Sequence, residues 1–203
     1  MKKAFTQLQS LSLIFIISAC NIAGPGYPKK GAEKYLKQKD YPEKMVKAIV
    51  QKKSLSHKDI VLLSKCPDIN VLYMVGSNPY LTPSEIDLFI DNKNDFVRSG
   101  VARNPNLTKK QMLKLLNDSS HTVYCTLAGN PEVPENLLLE LRKSRDLKLS
   151  WFALNPNCPQ ELKKEIIKSN DHDAQYWMNV VEKRIQTDKY TMDASGRWHK
   201  VYN

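Results

Sequence analysis

Apolar residues return along the chain with a period of 25 or 26 residues, and each return accompanies an Asn-Pro pair. The four asparagines are Asn78, Asn104, Asn130 and Asn155. An apolar residue stands three positions before each asparagine, a small residue stands two before, and Leu, Val or Cys stands three after. A fixed period inside one chain indicates a stacked repeat protein, in which each unit buries its apolar face against its neighbours.

Each repeat is predicted to contain two short helices. Val97 and Val101 are one helical turn apart, which places both on one face of a first helix. Pro105 disfavours a helical conformation for Asn104, so the first helix ends there. Thr108, with a glutamine three residues later, matches the capping box that begins a second helix. Helices this short are marginal alone in water, and stacking must therefore stabilise them.

The apolar offsets of the second helices also predict core positions. These predicted core residues are Ile86, Phe89, Ile90, Met112, Leu115, Leu116, Leu138, Leu141, Leu162, Ile166 and Ile167. Counting one period back from Asn78 reaches Lys52, where Lys52-Lys53 replaces Asn-Pro while the apolar offsets persist. We interpret this segment as a degenerate first repeat that faces solvent or a tether.

The repeated asparagines admit two interpretations, recognition residues used once per repeat or structural corners. An asparagine at a helix end can hydrogen-bond nearby backbone groups that lack an intrahelical partner. Because the adjacent proline already explains the chain reversal, we predict structural corners. They are Asn78, Pro79, Asn104, Pro105, Asn130, Pro131, Asn155 and Pro156.

The stretch Val101-Ala102-Arg103-Asn104-Pro105-Asn106-Leu107-Thr108 resembles the V-A-x-N-P-x-L-P/T motif of the leucine-rich repeat variant family. The resemblance covers residues 42–170, with a slightly longer period than is usual for that family. It implies an all-α fold, a right-handed α-solenoid of about five helix-pair repeats. The predicted repeat domain is residues 32–185, and the period is 26 residues.

The C-terminal end departs from the repeat. Residues 171–185 predict one longer closing helix. Residues 186–203 form the predicted C-terminal tail, in which apolar and polar residues alternate around a turn at 193–196, typical of a small β-hairpin. Such a hairpin either caps the last repeat, with Tyr190 and Trp198 on Ile185, or contacts a partner.

The N-terminus has the pattern of a secretory signal. Lys2 and Lys3 precede a short apolar stretch that is too short to span a bilayer. Its end, Ile17-Ser18-Ala19-Cys20, resembles the lipobox of bacterial lipoproteins. That resemblance implies removal of residues 1–19 and acylation of Cys20 by palmitate-type chains. The alternative is an ordinary secretory signal with an incidental cysteine.

Residues 20–31 are rich in glycine and proline and predict an extended, lipidated tether. In lipoproteins of the enterobacterial type an aspartate after the lipidated cysteine favours the inner membrane. Asn21 therefore implies the outer membrane if the source is Gram-negative, on either the periplasmic or the exposed side. The expected location is the bacterial cell envelope.

The net charge of +10 points to anionic surroundings, and +8 remains after the two signal lysines are removed. Stacked repeats bring equivalent positions into columns, so basic residues on the repeats predict a binding face, with a merely solvated face as the alternative. The candidates are Arg98, Arg103, Lys109, Lys110, Lys114, Arg142, Lys143, Arg145, Lys163 and Lys164. Placement outside the cytoplasm argues against a nucleic-acid partner.

The chemistry-bearing residues do not form a recognisable catalytic motif. The sequence has neither a Gly-rich phosphate loop nor a Gly-x-Ser-x-Gly elbow, and no cysteine pair has zinc-like spacing. Three cysteines follow Cys20, namely Cys66, Cys125 and Cys158. Cys158 stands at a core offset and is predicted to be a buried thiol, with a Cys125–Cys158 disulfide as the alternative. We therefore expect no catalytic residue, cofactor or metal.

The expected function is a lipid-anchored envelope scaffold that contacts the membrane through Cys20 and binds a protein or an anionic envelope polymer. The alternatives are a structural tether or spacer lipoprotein and an accessory or inhibitory subunit of a secreted enzyme.

Overall fold

A computed structural model describes residues 27–186 together with residues 190–192 and 198–200. This part of the chain is all-α apart from two three-residue strands. Its helices are α1 (Tyr27–Gln38), α2 (Glu43–Val50), α3 (His57–Ser64), α4 (Ile69–Gly76), α5 (Pro83–Ile90), α6 (Asp95–Ala102), α7 (Lys109–Leu116), α8 (His121–Ala128), α9 (Glu135–Ser144), α10 (Leu149–Ala153), α11 (Gln160–Lys168) and α12 (His172–Gln186).

Side-chain caps explain where several of these short helices begin. Thr108 forms a complete capping box at the start of α7, which confirms the prediction from sequence, and Thr82 forms the same box at the start of α5. Asp68 caps α4 and Asn94 caps α6, because their side chains accept hydrogen bonds from the first free backbone N–H groups. These two caps were not predicted, although aspartate and asparagine are favoured at such positions.

The helices form two sets that alternate along the chain, which we call the first row and the second row. In the first row α4 contacts α6, α6 contacts α8, α8 contacts α10, and α10 contacts α12. Each second helix, α5, α7, α9 or α11, packs against the first helix that precedes it. This arrangement buries the apolar residues of both helices between the rows, where Phe89, Phe152 and Trp177 are the largest buried side chains.

Two close approaches bring the first-row helices together. A Cβ atom on Gly100 would lie 2.7 Å from the backbone oxygen of Tyr73, which is too close for any larger residue without movement of α4. A Cβ atom on Gly76 would lie 3.1 Å from Cγ2 of Val101. Gly76 is the small residue that the sequence places two before Asn78, whereas the role of Gly100 was not predicted.

The predicted core residues are buried with one exception. Ile167 is 62% exposed, so its prediction as a core residue is wrong. The equivalent residue of the preceding pair is already polar, Arg142, and no further helix pair follows α11 in the described chain to cover this position. Periodicity alone therefore predicts one buried residue too many in the last helix pair.

The N-terminal end also differs from its prediction. The extended tether predicted for residues 20–31 is wrong for residues 27–31, which form the beginning of α1, and residues 20–26 lie outside the described chain. Ala32 and Leu36 are fully buried, and α1 packs against α4 in the place of a first-row neighbour. The apolar positions of α1 fall outside the 26-residue period, which is why the repeat pattern did not reveal this helix.

The two strands, β1 (Tyr190–Met192) and β2 (Trp198–Lys200), are antiparallel, with Tyr190 opposite Lys200. The turn predicted at 193–196 and the side-chain packing predicted for Tyr190, Trp198 and Ile185 lie outside the part that the structure describes.

Candidate functional site

The asparagine of each Asn-Pro corner forms hydrogen bonds with two different corners. Asn104 Nδ2 donates to the carbonyl oxygens of Gly76 and Asn78, at 2.9 and 2.8 Å. Its Oδ1 accepts from the backbone N–H of Asn106 at 2.9 Å, which closes the turn after Pro105. The Asn104 side chain is fully buried, so its three hydrogen bonds form without competition from water.

The same bonds recur one unit further along the chain. Asn130 donates to Ala102 and Asn104, and Asn155 donates to Ala128 and Asn130, with distances from 2.7 to 3.0 Å. Asn78 makes a single equivalent bond, to Lys53 O in the degenerate corner. We call these four side chains the asparagine ladder. Its amides are occupied by backbone groups, which leaves none of them positioned to act as a ligand for a partner.

A second set of polar bonds connects successive second-row helices. Gln111 Nε2 donates to Pro83 O and Asp87 Oδ1, both at 2.8 Å, and so joins α7 to α5. His57 Nδ1 lies 3.0 Å from Glu85 Oε1 and joins α3 to α5. Burial opposes ionisation of Glu85, but the Thr82 N–H and His57 outweigh it and hold the Glu85 pKa below its usual range. The capping-box residues therefore also link neighbouring helix pairs.

The ten basic candidates do not form one free face. Four of them pair with carboxylates of neighbouring segments, namely Arg98 with Asp118, Lys114 with Asp91, Arg142 with Glu165 and Lys163 with Glu182. Arg145 donates to Leu116 O and Asp118 O and lies over the Tyr124 ring, 4.8 Å from its centroid. Arg103 is half-buried, while Lys109, Lys110, Lys143 and Lys164 are exposed.

The best-defined of these pairs is between Arg98 and Asp118. Arg98 Nε and Nη2 donate to the two carboxylate oxygens at 2.7 and 2.9 Å, and the side chains are only 15% and 9% exposed. Burial raises the Asp118 pKa, but Arg98 and the Ser120 N–H lower it more, so the net shift is downward. A bidentate pair of this kind holds α6 against the segment before α8.

An apolar strip lies on the second row near its N-terminal end. Leu62 on α3 and Leu88 on α5 are 52% and 44% exposed, and they occupy equivalent positions on adjacent helices. The same position carries Lys114, Glu140 and Glu165 in later pairs. The strip is therefore confined to the first helix pairs. The residues that repeat throughout the chain do not reveal it, because leucine occupies this position only in the first helix pairs.

Cys66, Cys125 and Cys158 are buried, and no disulfide joins Cys125 to Cys158. Burial raises the pKa of Cys158 to about 12, so this thiol stays protonated at neutral pH. Cys125 Sγ lies 3.3 Å from His121 Nδ1, but the sulfur is inaccessible to a substrate from solution.

Over the described ranges, no group of three or more His, Cys, Asp or Glu residues is arranged to hold a metal ion. None of the helices within those ranges has the length and apolar character needed to cross a membrane. No protein-family model, curated protein or solved structure matches the chain.

Proposed function

We propose that this protein is a lipid-anchored envelope scaffold without catalytic activity, whose stacked helix pairs present a surface to a partner protein. The observation that supports this proposal best is the asparagine ladder, which joins each corner to the preceding one through the same backbone atoms. It forms an extended scaffold from short helices, and proteins of that architecture characteristically act as binding surfaces.

The finer architecture belongs to the same proposal. We infer a right-handed α-solenoid of about five helix pairs, in which α2 and α3 form the degenerate first pair and β1 and β2 belong to a hairpin that caps the last. The equivalent bonds made by Asn104, Asn130 and Asn155 support this interpretation, because a ladder requires each pair to be displaced from the last in the same way.

Removal of one whole unit tests the repeat. Deletion of residues 131–155 joins Asn130 to Pro156, restores the Asn-Pro corner, and removes α9 and α10 together. Because each pair contacts mainly its neighbours, we expect an all-helical, cooperatively unfolding protein of reduced stability. Circular dichroism and thermal unfolding would measure this.

The matched control is deletion of residues 131–144, which removes α9 alone and places two first-row helices in succession. We expect this variant to lose cooperative unfolding. If both deletions have the same effect, the repeat assignment is wrong.

A protein partner is favoured over an anionic polymer by the distribution of surface groups. Five of the ten basic candidates on the repeats are shown bonded within the protein, whereas Leu62 and Leu88 expose apolar surface on adjacent helices. Apolar area is what a protein interface can bury. A polysaccharide or polyphosphate would instead require a row of free cations.

The partner is testable by affinity capture with the mature chain, residues 20–203. A shorter chain that begins near Lys30 would lack the first turn of α1, which is needed to position the buried Ala32 and Leu36. We expect a specific protein to be retained by the wild type and lost by Leu62→Ser/Leu88→Ser. The control, Ile167→Ser/Tyr176→Ser, removes exposed apolar groups elsewhere and should retain it. Capture that is insensitive to both variants would contradict the proposed surface.

The anchor is a separate part of the proposal. The lipobox-like end at Cys20 supports cleavage before that residue, acylation of its sulfur and location in the envelope, with the outer membrane favoured in a Gram-negative source. Several acyl chains on one residue provide stable attachment, whereas one chain binds only marginally. Mass spectrometry of the mature N-terminus measures this directly, and an unmodified Cys20 would exclude the anchor.

A further inference from the structure

The positive charge of the protein is concentrated at its N-terminal end. Residues 27–53, which include α1 and α2, contain nine lysines and three acidic residues, a net charge of +6. Residues 54–203 contain 20 basic and 18 acidic residues and carry only +2. The helix pairs are therefore nearly neutral, and the basic character of the whole chain belongs to its first two helices.

The lysines of α1 lie opposite the face that is buried. Ala32 and Leu36 pack into the core, and at 100° per residue the side chains of Lys30, Lys34 and Lys37 project from the other side of the helix. Lys30 and Lys34 are exposed, and Lys37 keeps 64% of its side chain accessible although it pairs with Glu33. The charges are thus separated from the core and available to solvent.

Helix α2 presents a second basic face that adjoins the first. Met45 and Ile49 are buried, whereas Lys44 and Lys47 are exposed on the opposite side. The two helices are in contact, and the charges of Lys37 and Glu43 influence each other across that contact. The outer faces of α1 and α2 therefore form one surface, which we call the basic cap and define by Lys30, Lys34, Lys37, Lys44 and Lys47.

The chain that precedes the cap limits how far it can be from the anchor. Seven residue steps separate Cys20 from Tyr27, which is at most about 25 Å when fully extended. An acylated Cys20 would hold α1 close to the headgroup region. The attraction of lysines to an anionic bilayer extends only about one Debye length, roughly 10 Å, so closeness of this order is required for it to act.

We propose that the basic cap is a membrane-docking surface that binds the anionic phospholipid headgroups beside the anchor. The cap would orient the stack of helix pairs away from the bilayer and add electrostatic binding to that of the acyl chains. The assigned location next to the membrane rests on the proposed anchor, but the affinity of the cap for anionic lipid does not.

Vesicle binding by unlipidated protein tests the cap independently of the anchor. The probe is the mature chain, residues 20–203, carrying Cys20→Ser, which contains every residue that the structure describes. We expect it to sediment with vesicles that contain phosphatidylglycerol and to remain in solution with phosphatidylcholine vesicles. Binding should weaken steeply with added salt, as expected for lysines near an anionic surface.

The decisive comparison uses two variants with the same loss of charge. Lys30→Gln/Lys34→Gln/Lys44→Gln is expected to weaken partitioning onto the phosphatidylglycerol vesicles at least tenfold, that is, to about a tenth or less of its wild-type value. Lys109→Gln/Lys110→Gln/Lys143→Gln removes three exposed lysines from the helix pairs and should change it by less than about twofold. Circular dichroism would verify that both variants remain folded.

Three results would overturn the proposal. Equal weakening by both variants would mean that only total charge matters, and no weakening by the first would mean that the cap does not bind. Displacement by millimolar inorganic phosphate would indicate a phosphate site rather than a membrane surface. Because the probe lacks the lipid, none of these results depends on whether Cys20 is acylated, and the mass of the mature N-terminus decides that question alone.

Discussion

Replacement of Asn104 by alanine is expected to destabilise the protein by about 3–5 kcal/mol, among the largest effects of any single substitution in the corners. The substitution removes three hydrogen bonds at a site that is fully buried. The carbonyl oxygen of Gly76 then loses its partner where water cannot replace it, and such an orphaned group costs about 1–3 kcal/mol. The Asn78 carbonyl keeps only its bond from the Leu81 N–H, and the Asn106 N–H loses the bond that closes the turn, each at a cost of about 1 kcal/mol.

The neighbouring Asn106 provides the control. Its Nδ2 also donates to two carbonyl oxygens of the preceding corner, those of Pro79 and Leu81, at 2.7 and 2.9 Å. Because Asn106 is exposed, water can take over these bonds, and we expect Asn106→Ala to cost about 1 kcal/mol. Urea unfolding of both variants measures the difference. Equal losses would show that the ladder is not what stabilises the contact between successive units.

Much of the helical layout could be predicted because it is determined locally. Pro105 and Thr108 restrict backbone conformation within a few residues, so the end of α6 and the start of α7 follow from the sequence. The apolar positions of the repeats follow from the period for a similar reason, since one face of each helix must be buried. Ile167 is the exception, because burial there depends on a neighbour that the last pair lacks.

The polar contacts between units could not be predicted in the same way. The sequence shows that an asparagine recurs, but it does not show that its amide reaches the backbone of the previous corner, 26 and 28 residues earlier for Asn104. The basic residues show more clearly that contacts between units are not visible in the sequence. Their spacing suggested one free face, whereas Arg98 and Arg142 are paired across units. Whether a cation is free depends on what stacking places beside it.

The basic cap was not predicted from the sequence either. Helix α1 lies outside the repeat period, and its glycine and the neighbouring prolines made residues 20–31 resemble a linker. In the structure Gly31 belongs to α1, and a Cβ atom there would lie 2.9 Å from the Asn70 side chain, so this glycine permits close packing on α4. Composition alone does not distinguish a glycine in a flexible linker from one in a tight helix contact.

Replacement of Arg98 by methionine is expected to cost about 3–5 kcal/mol at neutral pH. Methionine keeps much of the packing but removes both guanidinium hydrogen bonds from the buried carboxylate of Asp118, which keeps the Ser120 N–H and the charge of Arg145. An unpaired buried charge is far more costly than an exposed one. The control is Lys114→Met in the Lys114–Asp91 pair, whose side chains are 50% and 71% exposed, and we expect a loss below about 1 kcal/mol.

The pH dependence identifies charge as the cause. In the wild type the Asp118 pKa is lowered, so the stability from its ionised form is present above the unfolded pKa of about 3.9 and is lost as pH falls through the lower folded value. Without Arg98, we expect burial to outweigh the Ser120 N–H and the charge of Arg145 and to raise that pKa above its unfolded value, so the variant should gain stability relative to the wild type as protons bind. The difference in unfolding free energy between them should therefore narrow as the pH falls from 7 to about 4. A difference that stays constant over this range would mean that the loss comes from packing, and that the Arg98–Asp118 pair does not join the units electrostatically.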